Sequence, residues 1–382
     1  RDRYKAGGEP GAIVNLGYED FLAFHSKYYH PSNSYIYIYG NGEIDNYMQY
    51  INNEYLQSFE QIDEVVIEQQ PKLNEHKNYD YEYSIDANGD ASGKYYFSLN
   101  FLGPSIHERE KLIALGILGN ILGKNMTSPL KSALMSKDIA KDIKCRLCDW
   151  GLVQSVFTIG ATNADESKKE VFLSTIKETL SELAKKGINP ELIEAELNRV
   201  EFNLNEANPY GDPKGILYMD NSLSMWACGG NPIDALEYSK YLKSIRAKIQ
   251  EGYFEKLLDE IILSNEHSTF VTYAPVPGLQ EKLELDEKER LAGIKASMST
   301  SEIENIVANT KFLKEEALKK DSKEALETLP RLSVKDLDPK TRWKDGTLKN
   351  IDGVNIKRYP QKGKDLVCAY LEFDCKTVDQ DM

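Results

Sequence analysis

At 382 residues the chain is too long for one ordinary domain and predicts two or three folding units. Its 41% hydrophobic and 28% charged residues are globular rather than disordered proportions, and no run of about eighteen apolar residues is present to span a membrane. The formal charge is −14, with Lys and Arg interleaved among a larger acidic set; this argues against nucleic acid and suits a basic peptide better.

The first residues, Arg1-Asp-Arg-Tyr-Lys5, carry no apolar h-region and so no signal peptide, and the missing initiator Met predicts an excised fragment. Residues 21–28 predict a helix: Phe21, Phe24, His25 and Tyr28 fall at i, i+3, i+4 and i+7, on one face. Pro31 and Asn33 stop it. Tyr35, Tyr37 and Tyr39 then alternate with Ile36 and Ile38, the pattern of a strand. One helix and one strand cannot bury a core, so residues 1–40 read as the end of a domain begun elsewhere. Asp45 is placed to cap a helix carrying Tyr47, Ile51 and Tyr55, and the polar stretch around Pro71 makes residues 41–78 a connector.

Residues 79–275 predict one complete α+β domain, an antiparallel or mixed sheet with helices on one face. Tyr95, Phe97, Leu99 and Phe101 alternate with Tyr96, Ser98 and Asn100 as a half-buried strand, which Gly103-Pro104 should end. Ser105 and Glu108 have the spacing of a capping box for a helix with Leu112, Leu115, Ile117, Leu118, Ile121 and Leu122. Ser128-Pro129 starts another as N-cap and N1. Residues 143–150 and 152–161, joined at Gly151, predict a hairpin. Asp165 caps a helix with Phe172, Ile176, Leu180 and Leu183, ended by Gly187. Asn189-Pro190 starts the next, with Ile193, Leu197, Val200 and Leu204. Helices run on to about Leu263, broken near Gly229-Gly230 and Pro232, and a strand over 269–274 closes the unit.

Beyond it, residues 276–330 are strongly charged, with sparse apolar positions at helical spacing. They predict a helical hairpin projecting from the core, broken at Ser297-Met-Ser-Thr300 with Thr300 as cap. Residues 331–382 hold strand candidates at 354–359 and 366–373, the opening of a further domain.

The passage Gly7-Gly-Glu-Pro10, Ile13, Asn15-Leu16 and then residues 21–33 resembles the pitrilysin/insulinase (inverzincin) zinc metallopeptidase superfamily, in its presequence-protease and falcilysin branch. Asn208-Pro-Tyr-Gly-Asp-Pro213, Trp226 and Gly229-Gly-Asn-Pro232 are similar to the second domain of that branch. Thr310-Lys-Phe-Leu-Lys314, Asp321-Ser-Lys-Glu324, Leu329-Pro-Arg-Leu332 and Asp336 are similar to its interdomain linker, and Ile351-Asp-Gly-Val354 to the first strand of its third domain. The resemblance covers nearly the whole chain in the family's order. It implies that the numbering begins just after the inverted zinc motif His-x-x-Glu-His and its distal Glu ligand. Residues 1–40 would then be the tail of the catalytic domain, 79–275 a pitrilysin-like second domain, 276–330 the linker and 331–382 the start of a third domain.

A catalytic zinc needs about three protein ligands and an open position. The histidines are His25, His30, His76, His107 and His267, and none stands in the inverted motif or its reverse. His25 and His30 are separated by the helix end; His25 is expected to pack on the apolar face and His30 to donate to terminal carbonyls. No metal site and no catalytic residue is expected in this chain, and the sequence names no substrate-facing residue. Cys145, Cys148, Cys228, Cys368 and Cys375 are too sparse for a disulfide framework and predict reduced thiols; Cys145-x-x-Cys148 reads as plain strand. Cys228 has no His partner in sequence, Gly211-Asp-Pro-Lys-Gly215 reads as a turn, and Asp336 and Asp338 as a solvated loop.

The resemblance therefore implies an inactive internal fragment of a zinc metalloendopeptidase that degrades unfolded peptides in a closed chamber. Zinc would belong to the full-length protein. The partners would be peptide substrates and the remaining domains of the same chain, with no nucleic acid and no membrane, in the cytoplasm or alternatively an organelle or secreted. Two other readings are a naturally non-catalytic scaffold or partner subunit, and a peptide-binding module that adds a strand to its sheet edge.

Overall fold

The computed structural model describes residues 10–63, 65–66, 69–207, 213–337, 346–359 and 367–373. Gly7, Asn208, Asp338, Leu366 and Cys375, named above, lie outside the described residues. The chain divides into two compact units, Arg1–Pro277 and Gly278–Met382.

The first unit opens with short helices α1 (Pro10–Ile13), α2 (Tyr18–Tyr28) and α3 (Ile44–Glu54), and α2 and α3 bury no residue. The alternating segment after α2 is extended but joins no sheet, because among the described residues no strand lies alongside it to share a ladder. Its tyrosines contact a later helix instead, Tyr35 against Trp226 at 4.5 Å and Tyr39 against Tyr218 at 6.1 Å between ring centroids. The N-cap of α3 is Glu43, so Asp45 sits inside the first turn, where its charge still favours the helix dipole.

Five strands form the sheet: β1 (Lys77–Ile85), β2 (Tyr95–Ser105), β3 (Ala140–Cys148), β4 (Gln154–Ala164) and β5 (Ser268–Pro277). Their order is β1-β5-β2-β4-β3, parallel between β1 and β5 and antiparallel elsewhere. β2 does not stop at Gly103-Pro104 but runs through them to Ser105, with a register irregularity between Leu102 and Ser105. A proline is tolerated where the ladder is interrupted. Ser155 Oγ donates to the Pro104 carbonyl at 2.7 Å and holds that irregularity in place.

Helices cover one face of this sheet. α4 (Arg109–Gly123), α5 (Pro129–Ser136) and α6 (Lys169–Lys186) lie on it, α7 (Pro190–Glu206) packs on α4, α8 (Lys214–Trp226) contributes Met225 to a separate small cluster with Ile106 and Leu112, α9 (Ser239–Lys248) packs on α4 and α7, and α10 (Tyr253–Leu258) joins α4 and α6 and continues into one π-helical turn, Asp259–Leu263, against β2. The covered face takes every second strand residue: Phe97, Leu99 and Phe101 from β2, Phe157, Ile159 and Ala161 from β4, Phe270 from β5. Phe97, Phe172 and Phe270 meet with centroids 5.7 to 6.2 Å apart and tie β2 and β5 to α6. The α4 pattern buries Leu112, Leu115, Ile117, Leu118, Ile121 and Leu122. Its start is a modified capping box: Glu108 accepts from Ser105 N–H at 2.9 Å, but Ser105 Oγ accepts from His107 rather than Glu108. Asp165 accepts from Ser167 N–H ahead of α6, and Asn189 from Glu191 N–H at the start of α7.

The second unit holds α11 (Leu279–Ser297), α12 (Thr300–Leu318), α13 (Lys323–Glu327) and a hairpin of β6 (Thr347–Ile351) and β7 (Val354–Arg358). Ser299, not Thr300, caps α12. Its Oγ accepts from Glu302 N–H at 3.3 Å and the Glu302 carboxylate accepts from Ser299 N–H at 2.7 Å, closing the box that Thr300 is one residue too late to make. Ile351-Asp-Gly-Val354 is a turn with its flanking residues, not one continuous strand: Asp352 and Gly353 have φ of 49° and 86°, the left-handed pair of a tight hairpin. The partner of β7 is thus β6; residues 367–373 carry no strand.

Candidate functional site

The five histidines do not converge. His25 is exposed rather than packed, its ring stacked on Tyr29 at 4.6 Å, because the apolar face of α2 has nothing over it within the described residues. His30 Nδ1 accepts from Ser32 N–H at 3.1 Å instead of donating to a helix end. His76 bridges Ser268 Oγ at 2.8 Å and Asn78 at 3.2 Å. His267 Nδ1 accepts from Leu73 N–H at 2.9 Å, and burial, with Lys72 nearby, holds its imidazole below the ordinary value. Among the described residues no three His, Cys, Asp or Glu side chains group as a metal site. Cys145 faces Gly123 of α4, and burial pushes its thiol up to about 12. Arg109 and Asp149 lie near each other; burial lowers the one and raises the other, each opposed by its partner's charge, and Arg109 Nε has no hydrogen-bond partner.

Among the described residues of this unit no helix packs on the sheet's second face, and its composition changes from edge to edge. The registers place Tyr81 beside Tyr273 and Tyr273 beside Tyr96, so Tyr79, Tyr81 and Tyr83 of β1 share this face with Tyr273 and Tyr96. Tyr81 stacks on Tyr273 at 5.6 Å, and Tyr83 meets Tyr96 edge-on at 5.4 Å. The Tyr83 hydroxyl donates to the Lys94 carbonyl at 2.5 Å, and burial first, then Tyr96, raises its phenol. In the middle, Ser98 and Thr158 both donate to Asn100 Oδ1, at 2.9 and 2.8 Å, and the Asn100 amide reaches Thr269. At the far edge β3 presents Asp142, whose carboxyl Lys131 at 2.7 Å holds below the usual range, with Lys144 at 3.5 Å from it. Such a face can bind: aromatic area at one side, hydroxyl and amide groups in the centre, charge at the other. The signal for it in the sequence is Tyr79-Asp-Tyr-Glu-Tyr83, a period-two alternation at the start of the 79–275 domain to which the sequence reading assigned no strand.

A mixed sheet with helices packed on one face defines an α+β domain. Comparison with known proteins places it. The chain belongs to the peptidase M16 family: residues 15–200 match the profile described as Peptidase M16 inactive domain, and residues 274–382 match the profile of a domain associated with subfamily C of the same peptidases. It is 36% identical to Protein HypA of Clostridium perfringens over 99% of this chain and 39% of that protein. It is 28% identical to Presequence protease 1, chloroplastic/mitochondrial, of Arabidopsis thaliana, over 99% of this chain and 36% of that one. The chain thus spans about two fifths of the length of these relatives. A protease from Helicobacter pylori shares the fold with a TM-score of 0.53 at 20% identity, over 70% of this chain and 61% of that one. A peptidase M16 inactive domain from Pseudomonas fluorescens gives 0.52 at 15%, over 71% and 60%.

Proposed function

We propose that this chain is the non-catalytic middle of a zinc metalloendopeptidase that degrades unfolded peptides in a closed chamber. Residues 1–40 complete a catalytic domain, 79–275 form the second domain and chamber wall, 276–330 link the halves and 331–382 begin a third domain. The observation that carries this reading is the N-terminal segment. Phe21, Phe24 and Ile36 are 54%, 58% and 47% exposed, and α2 and α3 bury nothing. Apolar area of that extent calls for a covering surface, which a neighbouring domain supplies.

The residues present do not fit a catalytic zinc. His25 stands on a solvent-facing helix and His30 Nδ1 already accepts a backbone hydrogen bond, so neither is part of a ligand set, and we place the metal and general base on residues outside this sequence. No helix among the described residues is long and apolar enough to cross a membrane. Cys145, Cys148 and Cys368 carry no disulfide, which supports a reducing, cytoplasmic setting.

The test compares this chain with a longer form extended at both ends, on an unstructured peptide, with and without chelator. Chelator-sensitive cleavage by the longer form alone is expected, with well under one equivalent of zinc in the short chain after dialysis. Cleavage by the short chain, stoichiometric zinc in it, or an inactive longer form that contains an intact zinc motif would overturn the reading.

A further inference from the structure

Asn-Gly occurs twice in the sequence, at Asn41-Gly42 and at Asn88-Gly89. The pair is reactive because glycine has no Cβ to keep its amide nitrogen away from the side-chain carbonyl of the asparagine before it. Attack on that carbonyl requires the glycine N–H to be released and the peptide to turn toward the side chain. Both asparagines are exposed, Asn41 in the bend ahead of α3 and Asn88 in the turn between β1 and β2. Their surroundings differ at the glycine amide. Gly89 N–H donates to the Asp86 carbonyl at 2.8 Å, and Asn88 N–H donates to Asp86 Oδ1 at 2.9 Å. That turn is tight enough that a Cβ on Gly89 would lie 2.9 Å from the same carbonyl. Gly42 N–H donates to no described residue, and the Asn41 side chain is bonded to none.

We propose that Asn41 is a site of spontaneous deamidation in the folded chain, and that the hydrogen-bonded turn protects Asn88 from the same reaction. The Gly42 amide gives its proton to water or hydroxide, and its nitrogen forms a bond to Asn41 Cγ. The Cγ–Nδ2 bond breaks, and the side-chain nitrogen takes up a proton and leaves as ammonia. Water then opens the five-membered succinimide. Opening at Cγ leaves aspartate at position 41. Opening at the main-chain carbonyl leaves isoaspartate, whose backbone is longer by one methylene. Water is the only co-reactant, and nothing is oxidised or reduced. Either product adds a carboxylate beside Glu43 and Asp45, at the end of α3 where the helix dipole favours negative charge. The isoaspartate also lengthens the link between Tyr39, which meets Tyr218, and α3. The modification thus acts on the junction between residues 1–40 and the connector. It concerns the chain's own backbone and holds whatever the whole protein cleaves.

The test incubates the 382-residue chain in mildly alkaline buffer made with water enriched in heavy oxygen, once native and once in urea. Digestion follows in ordinary water, so that only deamidation during the incubation carries the label, and mass spectrometry reads each asparagine. In urea both sites should convert at similar rates. In the native chain Asn88 should be at least about fivefold slower than Asn41, the cost of opening its hydrogen bonds. The product at position 41 should separate by chromatography into aspartate and isoaspartate. Asp86→Ala should speed Asn88 in the native chain and leave its rate in urea unchanged, and Asn41→Gln should remove the label at 41 with an unchanged thermal melt. No label at Asn41 in the native chain, equal native rates at the two sites, or an Asn88 rate indifferent to Asp86→Ala would overturn the proposal. So would aspartate as the single product, which would mean direct hydrolysis of the side chain without the Gly42 nitrogen.

Discussion

Helices α4 and α11 are of similar length and opposite fate. α4 buries nine of its 15 residues, among them Leu115, Leu118 and Leu122 at zero exposure, whereas α11 is 19 residues long and buries none. α11 is not without apolar groups: Leu283, Leu285, Leu291 and Ile294 are 53%, 55%, 50% and 40% exposed. The difference is the surface each faces. α4 lies on a sheet whose Phe101, Phe157 and Ile159 close over it. α11 is held by its own backbone bonds and by exposed pairs such as Arg290–Glu287, and isolated helices of that length are marginal in water. Helix formation is a local property, while stability comes from packing.

Hydrogen exchange offers the largest contrast. Amides in Leu112–Leu122 and Phe97–Phe101 should exchange only on global opening, and those of α11 and α12 by local fraying, orders of magnitude faster. Equal protection of α4 and α11 would break the comparison. Truncation comes next: Leu118→Ala should cost about 2–5 kcal/mol in denaturant unfolding, against less than about 0.5 for Leu291→Ala.

Glycines sharpen the same contrast with opposite signs. A Cβ on Gly123 of α4 would lie 2.6 Å from Cys145 Sγ and 3.1 Å from the Cys145 backbone nitrogen, so Gly123→Ala should destabilise by about 1–3 kcal/mol. Gly293 of α11 has nothing within 4 Å, and Gly293→Ala should stabilise its helix by about 0.4–1 kcal/mol. A destabilised Gly293→Ala would mean that α11 is packed after all. The smallest effect is chemical. Cys148 is exposed and should alkylate at pH 8 under native conditions, while Cys145, its thiol pushed up to about 12 by burial, should react only after unfolding.

Local patterns in the sequence determined most elements. The apolar spacing from Leu112 to Leu122 required a buried helix, the alternation from Tyr95 to Phe101 a half-covered strand, and Asn189-Pro190 and Gly187 the helix limits between them. These are legible because a side chain's direction follows from a period of 3.6 or 2. Only the tertiary structure decided the rest. The tyrosines of residues 35–39 had a strand's pattern, yet a strand also needs a neighbour to bond with, and none of the described residues provides one. β1 lies beside β5, nearly two hundred residues away in sequence, and that pairing brings Tyr81 onto Tyr273 and leaves Asp80 and Glu82 on an open edge. Such pairings are set by the closure of the whole sheet, a long-range balance of burial and chain entropy that no window of residues contains.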